Sequence, residues 1–144
     1  MNNTDFYGDS KLIYELFISF KKEPDRDKID KLLPLLRKNS LNVNSLLVFN
    51  YSLMHIKQRP DTMEYLLSLK GDVHIHNTYG MTPLFTQDRY DTIKLLVDKG
   101  ANPNIQDNYK FTPLFWQKEP DAMEYLLEKG LKINHFNTRF NIRQ

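Results

Sequence analysis

The sequence predicts an all-α solenoid of about four helix-turn-helix units with short projecting loops, and three observations carry the prediction. First, the 144-residue chain repeats itself every 30 residues. Thr82-Pro83-Leu84-Phe85 returns as Thr112-Pro113-Leu114-Phe115, and Ser52-Leu53-Met54-His55 stands one period earlier. Second, apolar residues inside each unit fall at i, i+3 and i+4, which is one face of a helix: Met63, Leu66 and Leu67, then Ile93, Leu96 and Val97, then Met123, Leu126 and Leu127. Third, helix start and stop signals punctuate every unit at the same phase. A helix pair of this size has too little apolar surface to stand alone, so each unit must stack on its neighbours.

Residues 10–22 and 27–38 read as a first helix pair, a divergent capping unit with Asp27 as candidate cap and a kink expected at Pro34. In the units that follow, a short helix begins at Thr82 and Thr112, with Ser52 in the same phase. Pro83 and Pro113 occupy the first helical position, where a missing N–H costs nothing. The longer helix of each unit follows Asp61, Asp91 or Asp121, expected as caps, with Pro60 and Pro120 breaking the preceding helix. Gly71, Gly100 and Gly130 are expected to end these helices in the left-handed conformation. The units span about 10–44, 45–77, 78–107 and 108–137 of a single domain covering 1–144. A stub over 138–144 starts another unit; Arg139, Arg143 and Gln144 make that end polar, while Phe136, Phe140 and Ile142 need cover.

The Thr-Pro-Leu-Phe motif, the Leu-Leu pair and Gly100-Ala101-Asn102-Pro103-Asn104 resemble the ankyrin repeat, whose signature is Thr-Pro-Leu-His-x-Ala over 33 residues. The likeness is strongest over 78–137, good over 42–77 and weak over 10–41. The departures are specific. Phe85 and Phe115 replace the family's His, Gln87 and Gln117 replace its small Ala, and about one turn of the short helix is missing. A bulky Phe is expected to fill what that lost turn exposes.

Composition and motifs exclude much chemistry. Cysteine is absent, which removes disulfides, thiolate metal sites and cysteine nucleophiles. Only His74 and His76 stand close together among four histidines, short of the three or four ligands a metal needs, so neither metal nor cofactor is expected. His74 holds the turn position of Asn44, Asn104 and Asn134 and reads as a turn residue bonding local backbone. Asp25 with Asp27, and Asp61 with Glu64, read as capping or first-turn acids favoured by the helix dipole. No nucleophile elbow, phosphate loop or dinucleotide fingerprint occurs, and no catalytic residue is assigned. The net charge of +2 comes from mixed charges without a long like-charged block, so a nucleic-acid footprint is missing. Residues 12–20 are interrupted by Glu15 and lack a cationic leader, and no run is long enough to span a membrane; an intracellular, cytoplasmic protein is expected.

The remaining signal is aromatic residues on the loops, again at the unit period: Phe49, Tyr79 and Tyr109 in one series, Tyr51, Met81 and Phe111 in the other. The ankyrin resemblance implies that such loops form projecting fingers and, with the short-helix faces, line a concave surface. That surface would be extended by Asp88 and Arg89 and by Trp116, Lys118 and Glu119. Exposed aromatics give large contact area at low entropic cost. For Tyr51, Met81 and Phe111 the alternative is a place inside the repeat interface. The expected function is binding of another protein, with occlusion the simplest action for a small binder. The sharpest form is an inhibitor of a toxin or enzyme, such as a bacterial immunity protein. With 13 Asn against two Ala the composition suggests an AT-rich gene, as in many bacteria and large DNA viruses. A viral or bacterial effector binding a host protein is the alternative, and a nucleic-acid binder using Lys, Arg and stacked aromatics is the lesser one.

Overall fold

Helices in antiparallel pairs, joined by short loops, make up a computed structural model that describes residues 3–133. In chain order they are α1 (Asn3–Lys22), α2 (Arg26–Lys38), a 3-10 turn (Leu53–His55), α3 (Pro60–Ser68), α4 (Pro83–Thr86), α5 (Tyr90–Asp98), α6 (Pro113–Trp116) and α7 (Pro120–Ile133). The 3-10 turn, α4 and α6 pack successively as a row of short inner elements, while α3, α5 and α7 form a row of longer outer helices. Among the described residues no β-strand forms; a single bridge joins Val48 and Tyr51. The stub at 138–144, with Phe136 and Asn134, lies outside the described residues.

α1 begins at Asn3, seven residues before the expected start at Ser10, and the starts of α2 and of the outer helices differ from expectation by one or two residues. Asp25, not Asp27, caps α2: its carboxylate accepts the Lys28 N–H at 2.9 Å. That bond, followed by the Lys28 ammonium at 3.0 Å, holds the Asp25 carboxyl below the ordinary aspartate range. Asp27 sits in the first turn and pairs with Lys31 at 3.5 Å. Likewise Pro60 and Pro120 do not precede the outer helices but begin them. Proline's fixed φ suits the first helical residue, which displaces Asp61 and Asp121 from the cap into the first turn; Asp91 takes the same place in α5, where Tyr90 is the first helical residue. There the dipole still favours them, and Asp91 and Asp121 accept the N–H of the next residue at 3.1 and 2.9 Å. Pro83 and Pro113 open α4 and α6 as expected.

The stops show the same kind of shift. Gly100 is left-handed at φ 102°, but its counterpart 30 residues earlier is Lys70 at φ 71°, not Gly71. Gly71 instead matches Ala101, and both donate N–H to the carbonyl five residues back, Leu66 or Leu96, at 2.9 Å. What requires glycine at 71 is a close approach: a Cβ there would stand 2.6 Å from Met54 Sδ and 2.7 Å from Leu66 O. Gly130 does not end a helix, because α7 continues to Ile133. An interior glycine costs only about 1 kcal/mol, too little to stop a helix by itself. α2 runs unbroken through Pro34, which is exposed.

The predicted faces bury as a row. Met63, Leu66, Ile93 and Leu96 are fully buried, with Leu67 and Val97 at the edge. In α7 only Leu126 follows suit; Met123 and Leu127 are exposed, because no further unit covers them among the described residues. The N-terminal pair joins this core through Phe17, Phe20, Ile29, Leu32 and Leu36. It is also tied to α3, where the Arg26 guanidinium lies 3.9 Å over the Tyr65 ring and the Tyr65 hydroxyl donates to Asp30.

Inner helices of four residues leave most carbonyls without a helical donor. Glutamines supply the missing partners. Gln87 Nε2 donates to Ile56 O at 2.8 Å and Met54 O at 3.3 Å, while its Oε1 accepts the Gln58 N–H at 3.1 Å. Gln58 Nε2 closes its own unit on Leu53 O and Ile56 O, both at 2.9 Å, and Gln58 O accepts the Thr92 hydroxyl at 2.7 Å. Gln117 Nε2 donates in turn to Gln87 O. All three glutamines are buried. The residues that break the family signature thus replace the lost turn with side-chain hydrogen bonds between units.

Three substitutions probe this arrangement by urea denaturation. Leu96→Ala removes a fully buried side chain between units and is expected to cost about 2–5 kcal/mol; a loss under roughly 1 kcal/mol contradicts the helix register. Gln87→Ala leaves the Met54 carbonyl and the Gln58 N–H unpaired and takes one of two donors from the Ile56 carbonyl, and is expected to cost on the order of 3 kcal/mol, whereas Gln117→Ala, which removes one bond, should cost about 1 kcal/mol. Equal effects would refute the bridging role of Gln87.

Candidate binding surface

Each finger is built by local backbone chemistry. In the first, Phe49 and Asn50 both have positive φ, 53° and 68°, and Tyr51 N–H closes a two-residue turn on Val48 O at 3.0 Å. The next two share a different design. Asn77 Oδ1 accepts the N–H groups of Tyr79 and Met81 at 2.9 and 3.0 Å, and Asp107 Oδ1 does the same for Tyr109 and Phe111 at the same distances. Gly80 and Lys110 then take the left-handed position, at φ 77° and 70°. Asn77 and Asp107 are buried, so the tips are anchored from beneath. Neighbouring fingers are also joined. Asn108 donates its backbone N–H to Tyr79 O at 2.9 Å and its side-chain amide to Thr78 O at 2.7 Å, and the Asn50 amide bonds Thr78.

These anchors hold the first aromatic series in solvent: Phe49 is 63% exposed, Tyr79 49% and Tyr109 60%. Lys21 Nζ stands 5.5 Å over the Phe49 ring. Below the tips runs a groove of about 690 Å³ that gathers six of the sequence-derived site residues, Tyr51, Met81, Asp88, Trp116, Lys118 and Glu119. The other five lie outside it. Phe49, Tyr79 and Tyr109 do not line it. Arg89 turns into an adjacent hollow and pairs with Asp91 at 3.4 Å. Phe111 leaves the groove to stack on Phe115, with centroids 3.8 Å apart and rings nearly parallel.

Phe115 departs from expectation. Phe85 fills its unit and is 4% exposed, but Phe115 is 57% exposed because no succeeding inner helix packs on it among the described residues. Trp116 meets both phenylalanines edge-on, at 5.9 and 5.3 Å, and its Nε1–H donates to Asp107 Oδ2 at 2.9 Å. One carboxylate therefore sets both the last finger and the indole. Asp88 faces Lys57 at 3.5 Å across consecutive units. Lys57, Lys21 and His55 also line the groove, and sequence reasoning missed them. Lys57 is hidden from a periodicity search because glutamine holds its place in the next two units, at Gln87 and Gln117.

His55 is the one histidine of the short helices, and it is buried. Its Nδ1 accepts from the Ser52 backbone N–H at 3.1 Å and lies 2.9 Å from Ser52 Oγ. Since a backbone N–H can only donate, Nδ1 is unprotonated and Nε2–H donates to Met81 O at 2.9 Å. The ring thereby fastens one inner element to the next finger. Burial, first, and His76 second hold its pKa below the ordinary 6.5, against the opposing Met81 bond. By contrast His74 enters its turn through its backbone N–H, donated to Asp72 Oδ1 at 2.8 Å, with the ring exposed.

Rigid fingers, a concave groove and paired helices stacked at a 30-residue period define a repeat solenoid that presents side chains for binding. The family pattern described as Ankyrin repeats (3 copies) matches residues 52–137, more than half of the chain, and the chain belongs to that family. Comparison with curated proteins returned no match. Ankyrin repeats make the chain a protein–protein interaction module. Among the described residues no three metal-ligating side chains converge, and no helix is long and apolar enough to cross a membrane.

The His55 geometry predicts a pH dependence with a definite sign. Because its folded pKa is depressed, the unfolded chain binds more protons between the folded value and about 6.5, so stability rises with pH there. The contribution is complete above about pH 6.5 and is lost as pH falls below it. Urea midpoints between pH 8 and pH 5 should decline on the acid side, and His55→Phe should remove that decline. An unchanged pH profile in the variant would contradict the assignment.

Proposed function

We propose that this chain is a non-enzymatic inhibitor that acts by covering its partner's working surface, and that the partner is a toxin neutralised by a bacterial immunity protein of this kind. The observation that carries the reading is the row of aromatic side chains, Phe49, Tyr79 and Tyr109, held in solvent by buried anchors beneath each finger. Aromatic groups in water give up hydration free energy when covered, and groups fixed beforehand lose little entropy on doing so. The groove below, with Tyr51, Met81 and Trp116 between the charges of Asp88, Arg89, Lys118 and Glu119, adds a centre that excludes water and a polar rim. A rigid solenoid edge of this kind acts by occupancy, without a chemical step. A composition that suggests an AT-rich gene supports the immunity form of the reading.

The double variant Tyr79→Ala, Tyr109→Ala tests it. Both rings are exposed, so the thermal transition should move little, as surface changes usually shift stability by no more than about 0.5 kcal/mol. Partner affinity should fall on the order of a thousandfold, from two hot-spot aromatics at about 2 kcal/mol each. Capture from source-cell extract with wild type and double variant, followed by assay of the captured partner's activity with and without the chain, measures both binding and inhibition. A folded variant that keeps every partner would place the interface elsewhere. A captured partner whose activity is unaffected would exclude inhibition.

A further inference from the structure

We propose that α7 has a second state, in which it stops at Gly130, the Asn104 amide pairs with the carbonyl this frees, and residues 131–142 form the turn and finger of a further unit. A place for Arg139 in the binding edge follows from that state and rests on the function proposed above, which the stop itself does not.

The phase of the chain asks for the stop. Gly130 holds the position of Ser40, Lys70 and Gly100, and all three are left-handed, at φ 59°, 71° and 102°. After each of them the next N–H returns to the carbonyl five residues back: Leu41 to Leu36 at 2.7 Å, then Gly71 to Leu66 and Ala101 to Leu96 at 2.9 Å. Beyond Gly130 the signature continues. Ile133 is in phase with Val43, Val73 and Pro103, all buried, and Asn137 with the finger anchors Asn77 and Asp107. Yet α7 stays helical to Ile133.

One residue weakens the stop. Asn42, Asp72 and Asn102 each accept the N–H two residues on, at 2.8, 2.8 and 2.9 Å, which fixes the turn after the left-handed residue. Lys132 holds that position in the last copy, and an ammonium has no acceptor to offer.

The helical state has faults of its own. Asn44 shows what an asparagine at this phase does when the next unit stops: its Nδ2 donates to Lys70 O at 3.0 Å and its Oδ1 accepts the Asp72 N–H at 2.8 Å. The matching groups for Asn104 are Gly130 O and the Lys132 N–H. With α7 helical there, Asn104 Nδ2 is buried without a hydrogen-bond partner, and its Oδ1 lies against Gly130, 3.1 Å from where a Cβ would stand. An unpaired buried amide and a glycine inside a helix both disfavour this state. Each state thus carries a fault that the other removes, the condition for two packings close in free energy.

Stopping at Gly130 extends the binding edge. The Thr138 N–H then stands in phase to donate to Tyr109 O, as the Asn108 N–H does to Tyr79 O at 2.9 Å. Arg139 follows Phe49, Tyr79 and Tyr109 at the finger tip, so the aromatic row ends on a guanidinium suited to a carboxylate of the partner.

Backbone NMR on the full chain tests the proposal with two substitutions. Lys132→Asn gives the turn its acceptor; it should move the Cα shifts of residues 131–133 away from helical values, slow exchange of the Thr138 amide at least about tenfold, and raise the thermal midpoint. Asn104→Ala removes no side-chain hydrogen bond of the helical state among the described residues, yet added to Lys132→Asn it should reverse those changes. If α7 had only its helical state, Lys132→Asn would lower the midpoint, since Asn is the poorer helix former, and Asn104→Ala would be silent. Helical shifts at 131–133 in the Lys132→Asn chain, or a stop indifferent to Asn104→Ala, would overturn the second state. Arg139→Glu separates the binding claim. In the Lys132→Asn chain it should weaken the captured partner while the Cα shifts stay unchanged; unaltered affinity would remove Arg139 from the edge and leave the stop.

Discussion

The structure depends on how inner elements of three or four residues satisfy their own backbone. The 3-10 turn, α4 and α6 are barely one turn long, so few of their carbonyls find a donor inside the element, and burying such groups unpaired costs about 1–3 kcal/mol each. Gln87 resolves this by reaching into the preceding unit. Its amide donates to Met54 and Ile56 carbonyls and its oxygen receives the Gln58 N–H, so one side chain closes one unit and docks the next. A small residue at position 87 would leave the Met54 carbonyl and the Gln58 N–H without these partners. The shortened repeat and the buried glutamine are therefore two sides of one solution, and the 30-residue period follows from it.

Rigidity at the binding edge grows from the same registry. Once the inner elements are locked at fixed spacing, the fingers can be joined by Asn50, Thr78 and Asn108, and His55 can reach from its own element to Met81 O in the next finger. Left-handed residues at Phe49, Asn50 and Lys110 are sparsely populated conformations for side chains of this kind, and they persist because these hydrogen bonds over-determine the turns. The outcome is a row of aromatic side chains that does not collapse onto the helices. The link runs from a buried amide to the exposure of that row.

Much of this was legible in the chain because a solenoid writes its packing into a period. The short helices beginning after Ser52, Thr82 and Thr112, the burial of Met63, Leu66, Ile93 and Leu96, and the exposure of Phe49, Tyr79 and Tyr109 all follow from position in the unit. What periodicity could not supply is whatever depends on a neighbour rather than on phase. Phe85 and Phe115 occupy identical positions, yet only Phe85 is covered by a following inner helix. Glycine misled at 71, because a side-chain contact with Met54, not a left-handed φ, demands it, while Lys70 takes the left-handed position. The acids near the starts of the outer helices stand in the first turn and not at the cap, at Asp61 and Asp121 because a proline takes the first helical position. The groove was half visible: residues that repeat or follow the motif were found, and Lys21, His55 and Lys57, which belong to single units, were not.

Amide hydrogen exchange at Gln58 tests the central claim most directly. This N–H lies in a loop between the 3-10 turn and α3, where local structure offers no partner, and its acceptor is the Gln87 side chain of the next unit. If that bond docks the units, the Gln58 amide exchanges only when the stacked structure opens cooperatively, with protection equal to that of Leu66 and Leu96 in the core. Exchange at the rate of an unprotected loop, in a chain whose core amides remain protected, would contradict the account.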